Sequence, residues 1–211
     1  MPTIEAVLFD YGMVLSAPPL ASAWERMKSI TGQDEAGFHA GYWRPRHAYD
    51  RGTHTGEEFW RLVAGHSGIT LTEEQVTQLL AADLDLWGDL NQPMMNWVWQ
   101  LQSAGVRTGI LSNMGDAMAD GLLAKYEWLG KFDHKLWSYT VKLAKPEPEI
   151  YQHAVVGLGT PADGILFIDD KQENIAAAHE AGLQGILYTT HEAFEEEMKA
   201  LGLGYLLNPG S

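Results

Sequence analysis

The chain has no cysteine among its 211 residues, which removes disulfides, thiolate metal sites and cysteine nucleophiles together. It is also poor in positive charge, with 14 lysines and arginines against 28 aspartates and glutamates and a net charge of −14. Such a chain repels nucleic acid and anionic membrane surfaces, so neither is an expected partner. Long apolar runs are missing as well. The stretch before Asp10 is short and has no basic leader, so neither a signal peptide nor a transmembrane helix is expected, and the protein is expected in the cytoplasm. No internal repeat or low-complexity tract interrupts the sequence, and only residues 208–211 read as a loose tail.

At 45% hydrophobic residues the chain can bury one full core and a small satellite domain. Residues 4–9 form an apolar run that stops abruptly at Asp10, the pattern of a buried strand. Residues 106–111 repeat the form and end in Ser112 and Asn113, and residues 165–168 repeat it again and end in Asp169 and Asp170. Residues 184–188, and more weakly 135–139, read as further strands. Helical spacing fills the intervals at residues 91–103, 115–125, 147–156 and 171–181. The alternation predicts an α/β fold with a doubly wound parallel sheet, whose ligands bind beyond the carboxyl ends of the strands.

Residues 16–90 break the pattern. They show no convincing strand, and helical periodicity recurs near residues 20–30, 55–64 and 72–82, with turn signals at Thr31-Gly32, Arg51-Gly52 and Ser67-Gly68. The expected organisation is a core domain of residues 1–15 and 91–211 with an all-helical cap, residues 16–90, inserted after the first strand.

The strand-end residues have a common chemistry. A carboxylate attacks phosphorus when a divalent cation offsets its charge, and Asp10 is placed for that role. Magnesium takes hard oxygen ligands, which Asp169 and Asp170 can supply. The hydroxyl of Ser112, the amide of Asn113 and the ammonium of Lys145 are donors suited to phosphoryl oxygens, and Pro146 and Pro148 fix the helix entry that follows the lysine. Taken singly, these residues have plainer readings: the aspartates as helix caps, Ser112-Asn113 as a turn, Lys145 as a solvated cation. His39, His47 and His54 have no metal-ligand spacing, so no zinc site is expected.

Together, LFDYGMVL, LSNMG, KPEPEIY and FIDDKQEN resemble, in order, the four motifs of the haloacid dehalogenase-like superfamily, and they span the whole Rossmann-like core. The resemblance implies a magnesium-dependent phosphomonoester hydrolase that acts on a small phosphorylated metabolite through an aspartyl-phosphate on Asp10. It further implies that Ser112 and Asn113 hold phosphate, that Lys145 bridges nucleophile and phosphate, and that Asp170 binds Mg2+ with Asp169 and Asn174 in support. The backbone carbonyl of Gly12 would be a second metal contact. Many phosphatases of this family carry a second aspartate at that position as general acid and base, and here it is glycine. The Asp-x-Gly arrangement resembles a subgroup that includes sugar-phosphate phosphatases, and DRGTHTGEEF is similar to their cap. Two alternatives stand beside this reading: a metal-independent dehalogenase-type hydrolase, and a phosphate-ligand binding or regulatory protein with weak turnover. Within the insert, Arg44, Arg46, His47, Tyr49 and Arg51 form the most basic short stretch, which either selects the substrate or is a solvated helix face. Trp97 and Trp99 are expected in packing.

Overall fold

A computed structural model of the chain describes residues 3–209, so the end of the predicted tail, Gly210 and Ser211, lies outside the described residues. Five short strands make one all-parallel sheet: β1 (Ala6–Phe9), β2 (Arg107–Ser112), β3 (His134–Trp137), β4 (Ile165–Asp169) and β5 (Gln184–Leu187), in the order β3-β2-β1-β4-β5. Strand β1 is central and all four of its residues are buried, as a strand covered by helices on both faces must be. Its register aligns Phe9 with Ile110 on one side and Ile168 on the other. Asp10, Leu111 and Asp169 therefore emerge at the same carboxyl edge. The chain leaves β1 towards β2 and β3 and later returns to β1's other side through β4, so this edge is also where the strand order reverses.

Helices cover both faces. Helix α5 (Gln92–Ser103), α6 (Asp116–Lys125) and α10 (His191–Ala200) enclose a cluster in which Phe9 meets Trp97 and Phe132 edge-on at 5.6 and 6.3 Å, geometries that add to simple area burial. On the opposite face α8 (Pro148–Leu158) and α9 (Gln172–Glu180) pack over Leu8, Leu111 and Phe167. A single turn, α7 (Ser138–Val141), follows β3. Trp97 is buried as expected, whereas Trp99 is exposed on the outer side of α5. The acidic side of α10 is solvated, but Phe194 and Met198 on its other side are fully buried.

Residues between β1 and α5 form four helices: α1 (Ala21–Thr31), α2 (Glu35–Asp50), α3 (Gly56–Gly65) and α4 (Glu73–Leu86). They have their own apolar cluster, built on Phe38, Tyr42, Tyr49, Phe59 and Trp60. Thr55 with Glu58 and Thr72 with Gln75 form reciprocal capping boxes at the starts of α3 and α4, which is why those starts read clearly from sequence. The long helix α2 has no counterpart among the predicted segments. The chain enters and leaves this insert side by side, through a bridge between Ser16 and Leu90 and the bond from Asn91 N to Leu15 O at 2.9 Å. No helix among the described residues is long and apolar enough to cross a membrane.

Candidate active site

Asp10 sits one residue past β1, its N–H still in the ladder to Ile168 O at 2.9 Å. The chain then turns back in a wide loop, Tyr11–Leu15, closed by Ser16 N to Tyr11 O at 2.8 Å, with Met13 in the left-handed region at φ 61°. That turn aims the Asp10 carboxylate along the sheet edge. Its Oδ1 accepts from Tyr11 N at 2.7 Å and lies 2.9 Å from the Lys145 ammonium. Both contacts fall on one oxygen, and Oδ2 carries no hydrogen bond among the described residues.

Lys145 arrives from the loop between α7 and α8. Its Nζ is also 2.7 Å from Asp169 Oδ2, so one buried ammonium stands between two buried carboxylates. Burial works against that ammonium's charge, but Asp10 and Asp169 outweigh it and hold its pKa above the ordinary lysine value. The loop is fixed from the β2 side: Asn113 Nδ2 donates to Lys145 O at 2.9 Å and Lys145 N donates to Asn113 Oδ1 at 2.8 Å. One N–H of the Asn113 amide thus positions the lysine, which leaves its second N–H, the Ser112 hydroxyl and the backbone of this loop as donors at the cavity wall.

Asp169, at the end of β4, is fully buried, and its Oδ1 accepts from Lys171 N at 2.8 Å and Asn174 Nδ2 at 2.9 Å. With Lys145 on Oδ2, both of its oxygens are engaged. Asp170 faces the cavity instead. Oxygens of Asp10, Asp169 and Asp170 lie within 4.8 Å of one another. Three carboxylates with one ammonium leave a surplus of negative charge, and Asp10 is pushed up to about 6 by burial, against Lys145, with Asp169 adding to the rise. Asp170 is raised by burial and by Asp169. Asn174 Oδ1, buried beside them, has no partner. Hard oxygens, excess negative charge and an orphaned buried acceptor are what a divalent cation such as magnesium would satisfy, so the residues fit that ion.

A cavity of about 470 Å³ opens over this edge. It brings together Asp10, Gly12, Ser112, Asn113, Lys145, Asp170 and Asn174 from the core and Arg46 and His47 from α2. Two of the four candidate selectivity residues do not reach it. Arg44 is exposed on another face of α2, 3.2 Å from His66 Nδ1. Tyr49 is buried, stacked on Phe59 at 4.6 Å, and lies so close to Gly115 that a Cβ there would come within 2.2 Å of the ring. Among the wall residues not expected from the sequence are Trp43, Asp50 and Trp87. The i, i+3, i+4, i+7 spacing of Trp43, Arg46, His47 and Asp50 on one helix was the signal that could have found two of them.

The insert is tied down next to Lys145. Ser138 Oγ accepts from Met114 N at 2.8 Å and donates to Asp50 O. Gly56 N donates to Asp116 Oδ1 at 2.9 Å. Glu147 pairs with Arg51 and also accepts from Ala144 N at 2.9 Å, which couples α2's end to the residue before the lysine.

A family model described as haloacid dehalogenase-like hydrolase matches residues 4–182. The chain is 28% identical over 206 residues to the sesquiterpene phosphatase astK of Aspergillus oryzae, covering 94% of this chain and 97% of that protein. It is 25% identical over 230 aligned positions to bifunctional epoxide hydrolase 2 of Sus scrofa, covering 98% of this chain and spanning only 40% of that longer protein. An (S)-2-haloacid dehalogenase of Pseudomonas fluorescens is 27% identical over 128 residues, 60% of this chain and 55% of that one. Among solved structures, the HAD family enzyme bt-2542 of Bacteroides thetaiotaomicron superimposes with a TM-score of 0.77 at 22% identity, over 93% of this chain and 99% of that one. The same enzyme has been solved in complex with magnesium and inorganic phosphate, and that structure superimposes with a TM-score of 0.73.

Proposed function

The chain belongs to the haloacid dehalogenase-like hydrolases, and from that membership we propose that it is a magnesium-dependent phosphomonoesterase with Asp10 as its nucleophile. The observation that carries the reading is the Lys145 ammonium held between Asp10 and Asp169, with Asp10 Oδ2 left free to attack. A structural neighbour solved in complex with magnesium and inorganic phosphate supports it.

In this reading Asp10 Oδ2 forms a bond to phosphorus, the bond from phosphorus to the ester oxygen breaks, and the alkoxide leaves and takes its proton from solvent water. Water then attacks the aspartyl-phosphate and releases inorganic phosphate with the carboxylate restored. Lys145 offsets charge on the nucleophile and on the phosphoryl oxygens, while Ser112 and the amide groups of its loop donate to the latter. Asp10 and Asp170, with the carbonyl of Gly12, would hold Mg2+, which supplies charge neutralisation when bound. Asp169 and Asn174 keep Lys145 and the acidic edge in place. Residues 1–15 and 91–211 act as the core domain, and residues 16–90 as the cap that chooses the alcohol. We assign the protein to the cytoplasm, with a small phosphorylated metabolite as its substrate.

Halide release without a metal fits less well, because Asp10, Asp169 and Asp170 crowd three carboxylates around the Lys145 ammonium. Hydrolysis of para-nitrophenyl phosphate, with magnesium and with a chelator, tests the proposal. Turnover that needs both the ion and Asp10 is expected, and turnover that survives Asp10→Asn or the chelator overturns it.

A further inference from the structure

The cavity wall that belongs to α2 has an unusual charge balance. Arg46 is half-buried against aromatic rings, its guanidinium 5.3, 5.6 and 5.8 Å from the ring centres of Tyr42, Tyr49 and Phe59. It serves two carboxylates at once: its Nε is 2.9 and 3.1 Å from the two oxygens of Asp50, and its Nη1 is 3.6 Å from Asp83 Oδ2. Asp83 is further held by Tyr42, whose hydroxyl donates to it at 2.8 Å. One half-buried cation against the buried Asp83 and the half-buried Asp50 leaves a surplus negative charge inside the cap. Asp83 is closed off beneath the helices, whereas Asp50 lines the cavity. Any ligand that relieves the surplus must therefore do so at Asp50.

We propose that Asp50 selects the alcohol part of the substrate, accepting a hydrogen bond from a hydroxyl or ammonium group carried a few atoms away from the phosphate. The proposal rests on the phosphomonoesterase reading and adds to it a substrate class: esters with a hydrogen-bond donor on the organic group, in preference to purely apolar or doubly anionic ones.

Three features of the wall agree. Both Asp50 oxygens accept from the same Arg46 Nε, so each keeps acceptor capacity towards the cavity. Burial pushes the Asp50 carboxyl up to about 6 against the pull of Arg46, with Asp83 adding to the rise and Lys171, on the core wall, opposing it; a donor on the ligand would satisfy this under-served carboxylate. Trp43 and Trp87 flank the same space and offer flat apolar faces to the carbon skeleton of such an alcohol. An apolar chain would cover Asp50 without satisfying it, and a second anion would meet like charge.

Four esters of matched length test this: hydroxybutyl, aminobutyl, pentyl and carboxypropyl phosphate. Wild type should turn over the hydroxyl and ammonium esters with kcat/KM about 10- to 100-fold above the pentyl ester, the span expected for a buried acceptor left unsatisfied, and the carboxylate ester should be poorest. Asp50→Ala should collapse these ratios to within about twofold, and Asp50→Asn, which keeps an acceptor but not the charge, should retain preference for the hydroxyl ester and lose it for the ammonium ester. Ratios within one variant are insensitive to partial misfolding. Ratios unchanged in Asp50→Ala, a uniform loss across all four esters, or a wild type indifferent to the donor would overturn the proposal while leaving the phosphomonoesterase reading intact. No magnesium-dependent turnover of any ester would overturn both.

Discussion

Asn113 and Lys145 hold each other through a reciprocal pair of bonds, side-chain amide to backbone carbonyl at 2.9 Å and backbone N–H to side-chain oxygen at 2.8 Å. Removing the amide leaves both backbone groups of a nearly buried residue unpaired, at a cost of about 1–3 kcal/mol. Asn113→Ala is accordingly expected to lower the unfolding free energy by about that amount. By loosening the ammonium it should also reduce kcat by about 10- to 100-fold. Asn113→Asp keeps the acceptor, loses the donor and sets a carboxylate against a carbonyl, so it should be worse on both counts. Chemical denaturation and steady-state kinetics on the two variants check the order.

Metal binding should be visible without any substrate. Asp10, Asp169 and Asp170 crowd negative charge that a single ammonium does not offset, so a bound divalent ion should stabilise the folded state. At a magnesium concentration about a hundred times its dissociation constant, the expected rise in Tm for a chain of this size is about 5–10 °C. Asp170→Asn, altering a carboxylate that faces the cavity, should remove most of that rise and leave Tm in chelator unchanged or higher. Thermal melts with and without magnesium read it directly, and equal shifts in both proteins would remove Asp170 from the metal's ligands.

Asp50 carries a pH prediction whose sign follows from its direction of shift. Its carboxyl is raised to about 6 in the folded protein, from the ordinary value near 3.8, chiefly by burial. The folded state therefore holds this proton more tightly than the unfolded chain does. The associated stability is present in full below pH of about 4 and lost as pH rises through about 6. Asp50→Asn keeps the shape and removes the titration. The difference in Tm between variant and wild type should be near zero at pH 4 and should move in the variant's favour by pH 7. A difference that moves against the variant would mean that Arg46 stabilises the ionised carboxylate more than burial penalises it.

The contrast between Asp10 and Asp50 shows what could be read from the sequence. Asp10 ends an abrupt apolar run, and the parallel sheet delivers it to the same edge as Ser112, Asp169 and Asp170. Period and strand order suffice for that, and all five strands and helices α5, α6, α8 and α9 fall where the pattern puts them, within a few residues. Helix α2 is different. It contains Pro45, Gly37 and Gly41, residues that ordinarily argue against a helix interior. It forms because Phe38, Tyr42 and Tyr49 bury against α3, where Gly41 lets the backbones approach until a Cβ would meet Val63 O at 2.8 Å. Such a helix is made by tertiary packing rather than propensity. Asp50 was hidden for the same reason: Arg46 and Asp50 at i, i+4 look like a solvated ion pair until the aromatic cluster closes around them. Arg44, two residues earlier, shows the same stretch facing solvent.

Gly12 carries the last prediction. Its backbone lies at φ −64° and ψ 132°, an extended conformation open to any residue, so glycine is not needed there to make the turn. A Cβ added at this position would sit 3.8 Å from the Trp87 ring, an ordinary van der Waals contact, and both residues line the cavity. Gly12→Asp should therefore fold, with Tm in the presence of magnesium within a few degrees of wild type. The native glycine offers no side chain to protonate the departing alcohol. Wild type should accordingly favour aryl esters, whose leaving groups depart without a proton, over alkyl esters, which lose about 10²- to 10⁴-fold when a positioned acid is missing. Adding the carboxyl should raise alkyl turnover and leave aryl turnover nearly unchanged, narrowing the ratio by about tenfold or more. The ratio of kcat for para-nitrophenyl phosphate to kcat for a simple alkyl phosphate, measured in both proteins, isolates proton delivery from folding and from metal affinity, since those affect the two esters alike. If wild type already hydrolyses the two at similar rates, a group on the cap wall delivers the proton, and His47 and Asp50 are the residues to replace next.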